Sequence, residues 1–207
     1  MYDGFTTAVR KDWSLLVFDQ IFNNIGTRKT TIDELLDDYI PIVAKIIKKR
    51  KIAFVTGVCL GADIAFALVN RIRDEFGIEL PLLAFDPVYD RDLIQGIPDE
   101  IRDNEALLRK FVLTDYLSAS MSKPSYSGKV VFIFPRDKVF RKIPDLPEIG
   151  HTKEEEEEYI RFIEDNEAKI RNKFPYAPFY IVEGHHSNFV EEARMPNIMK
   201  LMHENFD

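Results

Sequence analysis

The fold is decided by the stretch Thr56-Gly57-Val58-Cys59-Leu60-Gly61-Ala62-Asp63. An apolar run from Ile52 to Thr56 predicts a strand that leads into it, and a helical pattern that is apolar almost all round follows from Ala62 to Glu75. Between them stands Gly-x-Cys-x-Gly, whose glycines allow a tight strand-to-helix turn with the cysteine at its tip. The pattern therefore predicts a thiol at the start of a buried helix, where the helix dipole stabilises a thiolate.

Strand and helix patterns alternate along much of the chain. Four further apolar runs without polar alternation predict strands covered on both faces. They are Leu15-Leu16-Val17-Phe18, Leu80 to Phe85, Val130 to Phe134 and Phe179 to Val182. Thr31-Ile32-Asp33-Glu34 is a capping box, and the apolar residues behind it recur at helical spacing as far as Ile47. The alternation predicts an α/β fold with a mostly parallel sheet flanked by helices.

Two segments interrupt this alternation. From about 90 to 128, helical patterns and a loop rich in Ser, Pro and Gly predict a helical lid insertion. From about 136 to 174, a second helical insertion contains the glutamates Glu154 to Glu158. We interpret these glutamates as the solvated start of a helix, because consecutive helical positions point all round the axis and cannot converge on a metal. Residues 1–207 are then expected to form a single domain.

Composition argues against several kinds of function. The net charge of the 207 residues is −7, whereas a surface that binds nucleic acid needs a clustered basic excess. The basic cluster Lys48-Lys49-Arg50-Lys51 ends a predicted helix, where it offsets the helix dipole. One cysteine and no signal peptide predict a cytoplasmic protein. No run of about 18 apolar residues predicts a membrane span, and no motif predicts a metal or cofactor.

A thiolate nucleophile needs a base and an acid that orients the base. The histidines His185 and His186 follow the predicted strand from Phe179, which makes each a candidate base. Asp86 and Asp137 each follow a predicted strand and are candidate acids, with Asp90 as a weaker candidate. The order Cys, Asp, His along the chain is that of the α/β-hydrolase fold.

The backbone amide of Leu60 would complete part of such a site. In this turn, the amide of the residue after the nucleophile faces the oxyanion that develops during acyl transfer. The alternative interpretation of Cys59 is a small core residue, as most lone cysteines are. The strand before it and the helix after it favour the catalytic interpretation.

Together these motifs resemble the thioesterase domains of nonribosomal peptide and polyketide synthetases. The resemblance covers most of the chain and rests on Thr30 to Leu35, Phe54 to Ala67, Leu82 to Asp86 and Val182 to His186. It implies that Cys59 is the nucleophile, that Asp86 rather than Asp137 is the acid, and that His186 rather than His185 is the base. The sequence departs from the family's usual pattern in one respect: the nucleophile position holds cysteine, Cys59, in place of serine.

The resemblance implies an α/β-hydrolase fold and a thioesterase. Its substrate would be an acyl or peptidyl chain on the phosphopantetheine thioester of a carrier protein, released through an acyl-cysteine intermediate by hydrolysis or cyclisation. No cofactor of the enzyme's own is implied. The family's first strand and its Gly-rich loop, which donates a second oxyanion amide, are expected to be missing, because the chain begins at Met1 to Lys11 with residues that resemble the following helix.

Two alternatives stay open. Val58-Cys59-Leu60-Gly61 also resembles the turn of dienelactone-hydrolase-like enzymes, which use cysteine and whose acid would correspond to Asp137. The other alternative is a binding protein with a hydrolase fold and no catalysis, which the missing strand would favour. The sequence does not fix the oligomeric state.

Overall fold

A computed structural model describes residues 14–16, 18, 32–87, 126–138, 153–186, 188–191 and 194–206. In chain order its elements are α1 (Ile32–Ile47), β1 (Val55–Val58), α2 (Leu60–Phe76), β2 (Leu82–Phe85), β3 (Val130–Asp137), α3 (Lys153–Lys173), β4 (Phe179–His185) and α4 (Met195–Phe206). The strands pair in parallel, β1 with β2 and β3 with β4. The predicted α/β class with a parallel sheet and flanking helices is confirmed.

The described residues form two compact units, one from Leu16 to Val130 and the other comprising 14–15 and 131–206. In the first unit, β1 and β2 pair in parallel, with Val55 opposite Leu82 and Val58 opposite Phe85. Every residue of β2 is buried, as expected of a strand covered on both faces. The prediction that 1–207 forms a single domain stays a prediction.

Helix α1 follows the apolar spacing that predicts it. Six residues at helical spacing are buried: Ile32, Leu35, Leu36, Tyr39, Ile40 and Val43. The helix packs against α2, where Arg71 donates hydrogen bonds to the Asp37 carboxylate (2.5 Å) and the Asp33 carbonyl (3.2 Å). The first residue of the predicted capping box, Thr31, lies outside the described residues.

Helix α2 begins directly after Cys59, two residues earlier than its apolar pattern predicts. It ends at Gly77, whose backbone is left-handed (φ 67°) and whose amide donates to the Arg73 carbonyl at 2.8 Å. This is a common helix ending, because glycine adopts the left-handed conformation without a steric penalty. The first half of α2 is buried all round because it packs on β1 and β2.

In the second unit, β3 and β4 pair in parallel, with Phe132 opposite Phe179. Aromatic packing stabilises this pair of strands. The ring centroid of Phe132 lies 4.8 Å from that of Phe179 and 5.2 Å from that of Phe174. Both strands extend three residues beyond their apolar runs, and a register shift lies between Pro135 and Asp137. The extension carries polar residues into the sheet.

Helix α3 lies within the second predicted insertion (about 136–174), whose first two residues belong to β3 instead. Glu154 and Glu157 near its start are exposed, which confirms the prediction of solvated side chains for these two residues. Helix α4, which the sequence patterns do not predict, buries Met195, Ile198, Met199 and Met202. None of the described helices is long and apolar enough to span a membrane.

The strand predicted at Leu15 to Phe18 is wrong. The described residues Leu15, Leu16 and Phe18 are not in a strand, and Leu16 is half exposed. Phe18 instead stacks on Tyr39 of α1 with 4.3 Å between ring centroids, so its apolar side chain serves helix packing. Nearly all of the predicted lid (about 90–128) lies outside the described residues, and so does the segment in which a missing first strand could be judged.

Candidate active site

The turn at Cys59 is built from main-chain hydrogen bonds. Cys59 directly follows β1 and precedes the first residue of α2, with φ 53° and ψ −123°. Its amide donates to the carbonyl of Phe85 at 2.8 Å, and its own carbonyl accepts from the amides of Ala62 (2.8 Å) and Asp63 (3.3 Å). The strand on one side and the helix on the other thus hold the residue in place.

This backbone conformation is strained. Among the described non-glycine residues, only Cys59 and Asp86 have a positive φ. A side chain in such a conformation costs on the order of 1–3 kcal/mol and persists only where the surroundings enforce it. A strained turn between a strand and a helix is what the Gly-x-Cys-x-Gly pattern predicts, because it lifts the nucleophile out of the sheet. Cys59 is partly exposed.

Gly57 is required by close approach of the backbone. A Cβ atom at this position would lie 2.0 Å from the carbonyl oxygen of Gly61 and 2.6 Å from the amide nitrogen of Ala62. No side chain can enter a gap of that size without displacing the start of α2. The first glycine of the motif is therefore confirmed as the residue that lets the helix begin against the strand.

The start of α2 gives the thiol a favourable electrostatic environment. The first amides of a helix have no acceptor within the helix and carry a partial positive charge. Leu60 is the first residue of α2, and its side chain is buried. The helix start can thus stabilise a thiolate at Cys59.

Asp86 lies beside this turn in the same unit. It follows the last residue of β2, as Cys59 follows the last residue of β1, and those last residues, Val58 and Phe85, are register partners. Asp86 has a left-handed φ of 44° and is only 5% exposed. The structure therefore brings these two predicted site residues to neighbouring positions at the carboxyl ends of parallel strands, where ligands bind in open α/β sheets.

The candidate bases lie at the end of β4 in the second unit. His185 is the last residue of the strand and is partly exposed, whereas His186 occupies the turn after it and is buried, with 9% exposure. The His186 ring lies 6.3 Å from the ring of Phe189, centroid to centroid. Phe189 itself is fully buried. The imidazole of His186 thus lies against a core residue.

The turn after β4 is braced by two side chains that sequence reasoning missed. The Asn188 side-chain oxygen accepts from the His185 amide at 2.9 Å, and Arg194 donates to the Asn188 carbonyl at 3.0 Å. A Cβ atom on Gly184 (φ 104°) would lie 2.6 Å from that Asn188 oxygen. Asparagine is a common turn residue, so Asn188 carried a signal, whereas nothing local marks Arg194.

The alternative acid, Asp137, lies beside the alternative base. It is the last residue of β3 and is the register partner of His185, just after the irregularity in the pairing. Asp137 is exposed. Asp90 lies outside the described residues. Within the described ranges, no three His, Cys, Asp or Glu side chains are placed to hold a metal ion.

No protein-family model and no curated protein matches the sequence. Among solved structures, the chain is similar to the NocB thioesterase domain, determined as a covalent complex with a fluorophosphonate nocardicin G analogue. The TM-score is 0.69 at 15% identity, covering 99% of this chain and 87% of that one. The chain has the fold of that thioesterase domain. The Vlm2 thioesterase domain is a more remote match, with a TM-score of 0.43 at 13% identity, over 74% of this chain and 67% of that one.

Proposed function

We propose that this chain is a thioesterase that forms an acyl-enzyme on Cys59. The observation that carries the proposal is the Cys59 turn itself: a strained cysteine at the tip of a strand-to-helix turn, with a buried carboxylate at the end of the neighbouring strand. A core cysteine would need neither the positive φ nor the close approach of Gly57 to Gly61. The fold shared with the NocB domain supports the same conclusion.

In this proposal, His186 is the general base and Asp86 orients it. The acid of a catalytic triad works best where water is excluded, since its hydrogen bond to the imidazole must not be lost to solvent. Asp86 is 5% exposed and His186 is 9% exposed, whereas Asp137 is exposed and His185 partly so. Burial thus favours Asp86 and His186 over Asp137 and His185, the same choice that the family resemblance implies.

The first chemical step is acylation. The imidazole of His186 takes the proton from the Cys59 thiol, and the thiolate attacks the thioester carbonyl. The carbon–oxygen double bond opens to an oxyanion, which the Leu60 amide stabilises by hydrogen bonding. When the oxyanion collapses, the bond to the original sulfur breaks. His186 returns its proton to the leaving thiol, and the acyl group remains on Cys59.

The second step releases the product. Water, or an amine or hydroxyl of the acyl chain itself, gives a proton to His186 and attacks the acyl-Cys59 carbonyl. The Cys59 sulfur leaves and recovers the proton, which regenerates the enzyme. We propose an acyl or peptidyl chain on the phosphopantetheine arm of a carrier protein as the substrate, because the shared fold is that of a thioesterase domain whose covalent partner is a nocardicin G analogue.

The test is acylation by a small thioester. The protein is mixed with acyl N-acetylcysteamine thioesters of different chain lengths, free thiol is measured, and intact mass is recorded. We expect thiol release and one acyl adduct, which Cys59→Ala abolishes. Since the sequence has one cysteine, no other thiol can carry the adduct. His186→Gln should also prevent acylation. Folded wild-type protein that releases no thiol and gains no mass would contradict the proposal.

One observation favours a second candidate, a cysteine hydrolase similar to the dienelactone hydrolases with Asp137 as the acid. The register of β3 and β4 makes Asp137 the partner of His185, so an acid and a base lie side by side in one unit. This candidate predicts hydrolysis of small cyclic esters rather than carrier-bound thioesters. Turnover of a dienelactone in the absence of thioester cleavage would support it.

A further inference from the structure

We infer that Asn188 and Arg194 are positioning residues that hold His186 for proton transfer; the inference rests on the proposed function. Neither side chain is assigned to acid–base chemistry. Both act on the turn after β4, which carries His186, through hydrogen bonds to main-chain atoms on either side of it. A base on a turn needs such support, because a displacement of about 1 Å can cost about a hundredfold in rate.

Asn188 forms two hydrogen bonds with His185 at the start of the turn. Its side-chain oxygen accepts from the His185 amide at 2.9 Å, while its own amide donates to the His185 carbonyl at 2.9 Å. The amide of Phe189 donates to the same carbonyl at 3.0 Å. Asn188 therefore bonds both main-chain groups of the residue that precedes His186, and these bonds restrain the peptide group that joins His185 to His186.

Arg194 forms hydrogen bonds with Asn188 and Glu191. Its Nη1 donates to the Asn188 carbonyl at 3.0 Å and to the Glu191 carboxylate at 3.1 Å, and its amide donates to the Glu191 carbonyl at 2.9 Å. The two N–H groups of Nη1 thus bind two different acceptors. Arg194 thereby links the two ends of the segment from 188 to 194.

Gly184 makes room for both braces. A side chain there would collide with the Asn188 oxygen at 2.6 Å and the Arg194 Nε at 2.9 Å. The absence of a side chain at Gly184, which has a positive φ, thus lets the side chains of Asn188 and Arg194 lie against the end of β4. On the other side of His186, Phe189 and Val190 are buried and anchor the turn in the core.

Removing the Asn188 oxygen should therefore disturb His186 specifically. The His185 amide would lose its acceptor in a partly buried position, and the main chain would shift to find another. Asn188→Leu keeps the size of the side chain but removes the acceptor. Asn188→Asp keeps an acceptor oxygen in the same place. Asn205→Ala is the matched control, because it removes an asparagine that bonds Tyr180 and Leu201 elsewhere in the same unit.

The experiment follows thioester acylation kinetics and the ring signals of His186 in histidine-labelled protein. The signals are assigned by their loss in His186→Gln, and the sequence has only four histidines. For Asn188→Leu we expect kcat to fall about tenfold to a hundredfold with little change in KM, and the His186 ring signals to shift or broaden. Asn188→Asp should recover most of the rate, and Asn205→Ala should change neither readout.

The two readouts separate failure of this inference from failure of the proposed function. If the wild type does not acylate, the proposed function fails, while the His186 signals still report whether Asn188 positions the ring. Unchanged signals in Asn188→Leu would overturn the inference, and so would shifted signals with an unchanged kcat. If Asn188→Leu does not fold, Arg194→Met is measured in the same way, and wild-type signals in that variant would count against the inference.

Discussion

The backbone amide of Cys59 donates a hydrogen bond to the carbonyl oxygen of Phe85 at 2.8 Å. This bond continues the parallel pairing of β1 and β2 by one residue beyond the strand ends. It fixes the turn that carries the thiol to the strand that leads into Asp86. The proposed nucleophile and the proposed acid therefore share one rigid pair of strands, and both Cys59 and Asp86 have a strained positive φ.

Gly57, before the Cys59 turn, and Gly77, at the end of α2, should respond differently to substitution. Gly57→Ala should destabilise the protein by several kcal/mol, since the new methyl group would collide with the Gly61 carbonyl at 2.0 Å. Gly77→Ala is the control, because its Cβ meets nothing within 4 Å and only the left-handed φ of 67° is penalised, at about 1 kcal/mol. Chemical denaturation measures both, and equal losses would contradict the assignment of Gly57 as a contact-limited position.

The strain at Cys59 predicts an unusual order of stability. Cys59→Gly should be more stable than Cys59→Ala by about 1 kcal/mol, because glycine adopts a positive φ without a steric penalty. This difference corresponds to about 2–4 °C in Tm for a chain of this size. Ala65→Gly within α2 is the control and should destabilise by about 1 kcal/mol. The prediction fails if alanine is the more stable residue at both positions.

The choice between the two candidate acids can be made by activity. Asp86→Asn should reduce kcat for thioester cleavage by about 10³–10⁴-fold, since the amide leaves the imidazole in the wrong tautomer and no longer stabilises its cation. Asp137→Asn should have a small effect, as Asp137 is exposed. Steady-state kinetics on folded variants measures this difference. The reverse result, with loss at Asp137 alone, would favour the dienelactone-hydrolase-like candidate.

The sulfur of Cys59 should influence which product is released. Transfer of an acyl group from a thioester to cysteine keeps the activation of a thioester, whereas transfer to serine forms a less activated oxyester. We expect Cys59→Ser to lower the ratio of cyclic to hydrolysed product from a peptidyl thioester, because weak internal nucleophiles need the more activated acyl group. Product ratios by liquid chromatography and mass spectrometry test this. An unchanged ratio would show that the sulfur plays no part in the choice.

Tyr126 predicts a loss of stability at high pH. Its hydroxyl donates to the Leu80 carbonyl at 2.6 Å, and burial raises the pKa of Tyr126 above its usual value of 10. The folded state thus holds the proton more tightly than the unfolded state does. The stabilisation is fully present below pH 10 and is lost as the pH rises through the folded pKa.

The measurement is denaturation at a series of pH values from 8 upward. Tyr126→Phe should cost about 1 kcal/mol below pH 10 through the lost hydrogen bond, and its stability should decline less steeply above pH 10. Tyr176→Phe is the matched control, because Tyr176 is 98% exposed. If Tyr126→Phe and the wild type decline in parallel, the buried hydroxyl is not the source of the alkaline loss.

The features that sequence predicted are those set by neighbours along the chain. The turn at Cys59, the need for glycine at Gly57 and the register of apolar residues in α1 all depend on local steric rules or on helical periodicity. The run from Leu15 to Phe18 shows where such rules stop. Its apolar composition suits a strand, but Phe18 instead stacks on Tyr39 of a helix that begins later in the chain.

In the candidate site too, sequence patterns predicted only the positions that follow from regular secondary structure. The positions of Cys59 and Asp86 follow from two strands that end in register, which alternating patterns can reveal. The hydrogen bonds of Asn188 and Arg194 beside His186 could not be predicted, because they join residues that no helical or strand spacing places together. Polar contacts of this kind depend on the conformation of a loop, and no periodicity records that conformation.

Main-chain atoms make the turn at Cys59. Its amide donates to β2, and its carbonyl accepts from two amides of α2. The absence of a side chain at Gly57 leaves room for the start of α2. The side chain contributes nothing to these bonds. A Cys59→Ser replacement would therefore exchange sulfur for oxygen at this point without removing any of these main-chain bonds. The backbone sets where the proposed nucleophile lies, and the side chain sets only whether its terminal atom is sulfur or oxygen.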